Sequence, residues 1–138
     1  IHVGVDPYGN LNYQHYDSTG SYTCDYTDQM RDTMLNDFYS YRNEGKFTLC
    51  NMTDTKFMNH TEHKDSKFAF VHFDGPHMTK DVITEAVWFA NRAAPKTRFI
   101  FDDFTKYNQS LINETLTHFG FLVIEEGENK ICLEKNES

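Results

Sequence analysis

Three aspartates stand directly after short apolar runs: Asp74 follows Phe68-Ala-Phe-Val-His-Phe73, and Asp102 and Asp103 follow Arg98-Phe-Ile-Phe101. Such runs read as β-strands, so each carboxylate is expected at a strand's carboxyl end. If the two strands are neighbours, those ends lie about 5 Å apart. Three carboxylates at that spacing can share one divalent cation and repel one another without it. Oxygen-only ligands select a hard ion, Mg²⁺ in preference to Zn²⁺, with positions left over for water or substrate oxygens. Metal-assisted chemistry on an oxygen substrate follows. A lone Asp after a strand more often caps a turn, but a triplet at two strand ends favours a site.

His77 lies three residues past Asp74, in Asp74-Gly-Pro-His77. An imidazole, titrating near neutrality, can take a proton from a substrate hydroxyl; a surface histidine at a helix start is an equally good reading. His72 alternates with the core-facing residues of its strand and reads as a packed histidine. His60 and His63 sit in a polar stretch at no useful spacing and carry little weight.

These residues need elements to hold them. Residues 1–5, Ile-His-Val-Gly-Val, make a β-branched run ending at the turn Asp6-Pro-Tyr8-Gly, which predicts a strand with Asp6 at its carboxyl end. Residues 11–25 are polar and Tyr-rich without a period, and predict a long loop. Its tyrosines, Tyr13, Tyr16 and Tyr22, together with Tyr26, read as cover for a core edge, or as part of an acceptor pocket. Thr27 is a good N-cap for a helix in which Met30, Met34, Phe38 and Tyr41 recur as a core stripe, with Gly45 as the stop. Residues 47–50 form a second strand, followed by a polar segment with a short turn of helix.

The run 68–73 is nearly continuous in apolar character, as in a strand buried on both faces. Thr79 caps a helix with the stripe Val82, Ile83, Ala86, Val87 and Ala90, and Pro95 follows its end. A last helix carries Ile112, Leu116 and Phe119 and closes at Gly120; residues 121–125 and 130–134 then form a hairpin. The sum is one α/β domain over residues 1–138: a Rossmann-like, mostly parallel sheet with a C-terminal antiparallel hairpin. In such sheets ligands bind outside the carboxyl ends of the strands.

Bulk properties narrow the function. A 138-residue chain with 38% hydrophobic and 25% charged residues belongs to an ordered globular class. A formal net charge of -8 argues against a nucleic-acid partner, which needs clustered Lys and Arg. No run approaches the roughly 18 apolar residues of a membrane span, so no membrane partner is expected. Cys24, Cys50 and Cys132 lack a C-x-x-C spacing and read as small apolar residues in a reducing, cytoplasmic setting. Five Asn-x-Ser/Thr triplets, at Asn51, Asn59, Asn108, Asn113 and Asn136, read as chance in a chain rich in Asn and Thr. The chain opens on Ile1 with a strand already under way, which predicts a preceding N-terminal piece.

The pattern Val-Gly-Val-Asp6-Pro-Tyr8, Phe-Val-His-Phe-Asp74-Gly-Pro-His77 and Phe-Ile-Phe-Asp102-Asp103-Phe104 resembles the class I S-adenosylmethionine-dependent methyltransferases. Among them it is most similar to the metal-dependent O-methyltransferases of the macrocin type, over residues 1–133, starting at the family's second strand. The resemblance implies S-adenosylmethionine and Mg²⁺ as cofactors and a small-molecule hydroxyl as acceptor. Asp6 would bond the cofactor's ribose, with Tyr8 in the same turn, and Met52 and Thr53 would lie along the adenine. Asp74, Asp102 and Asp103 would hold Mg²⁺, and His77 or Asp74 would accept the proton.

The family's first strand and glycine-rich loop have no counterpart in residues 1–138. In the family that strand lies between those of residues 1–5 and 68–73, so an incomplete methyltransferase fold with two unpaired edges is expected. Such edges invite pairing, so either a homo-oligomer that fills the gap or a rearranged first strand is expected, and without the loop that cradles the cofactor's methionine end, cofactor binding that is weak if it occurs at all. The alternatives are a metal-dependent hydroxylase or phosphoryl-transfer domain, or a methyltransferase-like domain kept for binding or assembly.

Overall fold

The structure is a computed structural model; it describes residues 1–9, 11–14, 16–17, 20–23, 26–75 and 78–137, with residues 13, 14, 21, 22 and 61 described in the backbone only. The chain forms two compact units, Ile1–Tyr13 with Tyr22–Lys64, and Gln14–Ser21 with Asp65–Ser138. The described strands fall into three hydrogen-bonded groups.

In the first unit, strand β1 (His2–Val5) pairs in parallel with a later strand, Phe47–Cys50, in the register His2↔Phe47 to Val5↔Cys50. Residues 11–25 are not all loop: β2 (Asn12–Gln14) and β3 (Ser21–Thr23) pair as a short two-stranded sheet. Thr23 Oγ1 donates to Asn12 Oδ1 across it.

Thr27 caps helix α1 (Asp28–Asp37) as expected, its side chain accepting from the Met30 N–H. The single helix expected up to Gly45 is broken at Phe38 (φ -99°, ψ 19°), and α2 (Tyr39–Asn43) begins anew. The expected core stripe is not a core either: Met30 is 47% exposed, Phe38 44% and Tyr41 54%. Phe38 instead stacks on Phe47 at 5.5 Å, and Phe47 stacks on His2 at 5.5 Å, a local ring column on strand β4 (Phe47–Cys50). Gly45, at φ +72°, provides the left-handed residue that ends α2. Helix α3 (Asp54–Met58), capped by the Thr53 hydroxyl, and a 3₁₀ turn at Thr61–His63 complete the unit.

In the second unit a four-stranded sheet runs in the order β5 (Phe68–Phe73), β6 (Ala93–Phe101), β8 (Ile131–Lys135), β7 (Phe121–Glu126). β5 and β6 are parallel, and β6-β8-β7 are antiparallel, so the C-terminal hairpin is as expected. β6 starts at Ala93, before Pro95, and bulges between its pairings Phe68↔Ala93 and Phe70↔Arg98; Lys96 takes φ +71° there. Thr97 Oγ1 donates to the Phe68 carbonyl at 2.8 Å, satisfying a group the bulge displaces.

Helices α4 (Thr79–Ala90) and α5 (Gln109–Thr117) supply Val82, Ala86, Ala90, Ile112 and Leu116 to one core with Phe73, Phe99, Phe101, Phe121, Ile131 and Leu133. Phe73 stacks on Phe101 at 4.4 Å and Phe99 on Phe121 at 4.3 Å. β5 is not buried on both faces: Phe70 is 54% exposed and His72 is exposed. The helical core takes one side of the strand, and the other side is left to Phe70, His72 and their register partners Arg98 and Ile100.

Among the described residues, the edge of β1 away from β4 and that of β5 away from β6 have no strand partner. No described helix is long and apolar enough to cross a membrane.

Candidate functional site

The pairing Phe73↔Phe101 puts the carboxyl ends of β5 and β6 side by side, with the Asp102 N–H donating to the Phe73 carbonyl at 2.9 Å. Asp74 and Asp102 therefore meet. One ligand atom from each of them, and one from His72, all lie within 4.8 Å of one another. His72, whose alternation with core-facing residues predicts a packed histidine, is instead exposed beside the two carboxylates. Strand alternation is the signal that finds it, since residues i and i+2 of an extended chain share a face and His72 is two before Asp74.

The two carboxyl groups are driven apart electrostatically. Partial desolvation, reinforced by the negative charge of Asp102, raises the pKa of Asp74. A hydrogen bond from Lys130, whose Nζ lies 3.0 Å from Oδ1, lowers that of Asp102, helped by the Asp103 N–H at 2.9 Å. The two pKa values thus part, Asp74 upward and Asp102 downward, the separation that like charges in contact produce.

Asp103 is placed differently. Its backbone is left-handed (φ 52°, ψ 31°), and both carboxylate oxygens have partners: Tyr16 donates its hydroxyl to Oδ2 at 2.6 Å, and Asn129 Nδ2 donates to Oδ1 at 2.9 Å. It is absent from the His72, Asp74 and Asp102 group. Desolvation, then the bond to Asp103, raises the Tyr16 pKa strongly, so its hydroxyl stays a donor. Tyr16 packs against the core and edge-on to Tyr107 at 5.5 Å, which fits the core-cover reading for this tyrosine. Tyr107 in turn donates to the Gly75 carbonyl at 2.7 Å, fixing the turn just past Asp74. His77 lies outside the described residues.

Asp17, next to Tyr16, was not singled out from the sequence. Its carboxylate accepts from the Thr79 N–H at 2.6 Å and from Thr79 Oγ1 at 2.5 Å. Thr79 is therefore the buried first residue of α4 and not its cap, and the capping oxygens come from 62 residues away. No local pattern could have revealed that partner.

In the first unit the parallel register brings Asp6 and Tyr8 to the same end of the β1–β4 pair as Met52 and Thr53. Asn51 ties the two chain segments by donating Nδ2 to the carbonyls of Asp6 (3.0 Å) and Pro7 (2.7 Å). Asp6 Oδ1 accepts from the Tyr8 N–H at 2.7 Å, an Asx turn that permits φ +47° at Tyr8. Burial, then the Asp6 charge, raises the Tyr8 pKa. Met52 is half-buried, and the Thr53 hydroxyl is engaged as the cap of α3.

No family model and no curated protein matches this sequence. Among solved structures, one described as a "putative rRNA-methylase" from Clostridium thermocellum superposes with a TM-score of 0.51 at 12% identity, over 96% of this chain and 88% of that one. The likeness shows a methyltransferase-like α/β fold.

Proposed function

We propose that the protein is an S-adenosylmethionine-dependent O-methyltransferase, or the larger part of one, acting on the hydroxyl of a small molecule with help from Mg²⁺. The observation that carries this reading is the meeting of Asp74 and Asp102 at adjacent parallel strand ends of a methyltransferase-like fold. Asp74 and Asp102 would hold the metal, joined by His72, which is exposed and in reach of both. Two carboxylates suit a hard ion, and the added imidazole extends the match to Mn²⁺. A cation held there would supply the positive charge that acidifies an acceptor hydroxyl.

The remaining work falls to the chain's own groups. His77, or a carboxylate oxygen of Asp74 left off the cation, would take the hydroxyl proton. Lys130, 3.0 Å from Asp102, holds the pKa of that carboxylate down, which keeps it an anionic oxygen donor for a cation. Asp103 acts by position, anchoring the 3₁₀ turn Phe104–Lys106 through Tyr16 and Asn129. Asp6, with Oδ1 committed to its turn, offers Oδ2 to ribose hydroxyls, and Met52 supplies an apolar surface for the adenine. The net charge of -8 favours a small acceptor over an RNA.

Calorimetric titration tests both halves. S-adenosylmethionine should bind the wild type, and Asp6→Ala should weaken that binding about 10-fold, the worth of about 1.4 kcal/mol. Mg²⁺ should raise the melting temperature of the wild type and not that of Asp102→Asn. Absence of cofactor binding would leave the second reading, a methyltransferase-like domain that serves binding or assembly. The unpartnered edges of β1 and β5 favour it.

A further inference from the structure

The 3₁₀ turn at Thr61–His63 gathers a second set of metal-ligating side chains that the proposed chemistry does not use. One ligand atom each from His60, Glu62 and His63 lies within 4.8 Å of the others. Residues three apart nearly eclipse in a 3₁₀ turn, so His60 and His63 turn the same way, their ring centroids 6.0 Å apart. The Glu62 N–H donates to His60 Nδ1 at 3.3 Å, and Glu62 Oε2 lies 4.0 Å from the same nitrogen; this long bond at an exposed ring is the one His60 would exchange for a cation. His63 is held from the other side: its ring lies 4.8 Å from that of the buried Phe57, and its Nε2 is 3.8 Å from Sγ of Cys50, the buried last residue of β4.

We propose that His60, Glu62 and His63, with Cys50 as fourth ligand, form a binding site for a borderline transition-metal cation of the Zn²⁺ class. A tetrahedral zinc centre sets ligand atoms about 3.3 Å apart between two nitrogens and about 3.6 Å apart between nitrogen and sulfur. The Cys50–His63 separation is already within a few tenths of an ångström of that value. Cys50 stands outside the His60, Glu62 and His63 group, and the exposed side chains of His60 and Glu62 would turn toward it to complete the centre. Two imidazoles, a thiolate and one carboxylate suit Zn²⁺ and not Mg²⁺, which separates this site from the Asp74 and Asp102 pair. Four protein ligands leave no open position, so the cation acts as a clip that pins the turn onto the carboxyl end of β4. On binding, the Cys50 thiol proton is released to solvent and the sulfur bonds the metal as thiolate.

Co²⁺ titration of the full chain, followed by Zn²⁺ competition, tests the site in an Asp102→Asn background that removes the other cluster. One Co²⁺ should bind with the visible bands of tetrahedral cobalt and a thiolate-to-cobalt charge-transfer band, and Zn²⁺ should displace both. His60→Gln and His63→Gln should each weaken binding about 10-fold or more. Cys50→Ser should lose the charge-transfer band. Because Cys50 is buried, the exposed His60→Gln variant decides the matter if the serine variant does not fold. Absence of tetrahedral bands, wild-type affinity in both histidine variants, or a charge-transfer band that persists in folded Cys50→Ser would overturn the proposal.

Discussion

Asp74 and Asp102 are the same residue type at equivalent strand ends, yet their pKa values move in opposite directions. Asp102 has Lys130 and a backbone N–H; Asp74 has partial desolvation and a neighbouring negative charge. Linkage gives the sign. A folded-state pKa above the ordinary 3.8 means that ionising Asp74 works against the fold, a penalty absent at low pH and complete once pH exceeds that raised value. Asp102, with its pKa depressed, stabilises the fold above 3.8, and that contribution is lost as pH falls through its folded value. Asp74→Asn should therefore stabilise the metal-free protein at pH 7 by a few tenths to about 1 kcal/mol, a solvent-screened effect. Urea denaturation at pH 7 and at pH 3 checks this, since the gain should vanish at the lower pH. A gain of equal size at both would assign it to packing instead.

At the level of elements, the start of α4 depends on a carboxylate supplied by a distant segment. Asp17 sits at φ +60° and follows Tyr16 at φ +48°, two left-handed residues in succession that turn the chain toward Thr79 and Asp103. Asp17→Ala should cost about 0.5–2 kcal/mol, the range for losing an N-cap, and Asp17→Asn should cost less because its side-chain oxygen still accepts. Chemical denaturation of both variants gives the comparison; equal losses would mean that the charge and not the cap matters. The α4 stripe itself was legible from its spacing, and so were the closure of α5 at Gly120 (φ +84°) and the C-terminal hairpin. The break at Phe38 was not, because the Met and aromatic periodicity continues through it.

At the scale of the molecule, the described strands leave free edges with apolar side chains on them. Phe70 on β5 and Leu122, Val123 and Ile124 on β7 are all exposed. A free edge is a template for another chain, so the protein is expected to self-associate, most simply as a homo-oligomer. Sedimentation velocity should show species heavier than the monomer that dissociate on dilution. Phe70→Lys should shift them to monomer if the β5 edge is used, and Ile124→Lys if the β7 edge is. A wild-type chain that stays monomeric at all concentrations would remove the expectation.

The sequence by itself determined the α/β class, most strand positions, the helix stripes of the larger unit and the placing of Asp6, Asp74 and Asp102 at strand ends. Each of these rests on local periodicity or on a residue next to a strand. Only the tertiary structure decided which acids meet. Asp103 is engaged by Tyr16 and Asn129, 87 and 26 residues away, while strand pairing puts His72 beside Asp74 and Asp102. The two-residue spacing of His72 and Asp74 marks their shared face, but the choice of partners across strands depends on register and on long-range hydrogen bonds, which leave no mark in the spacing. Burial behaved likewise: the apolar run of β5 and the stripe of α1 carry hydrophobic patterns, but a pattern becomes a core only where another element packs against it.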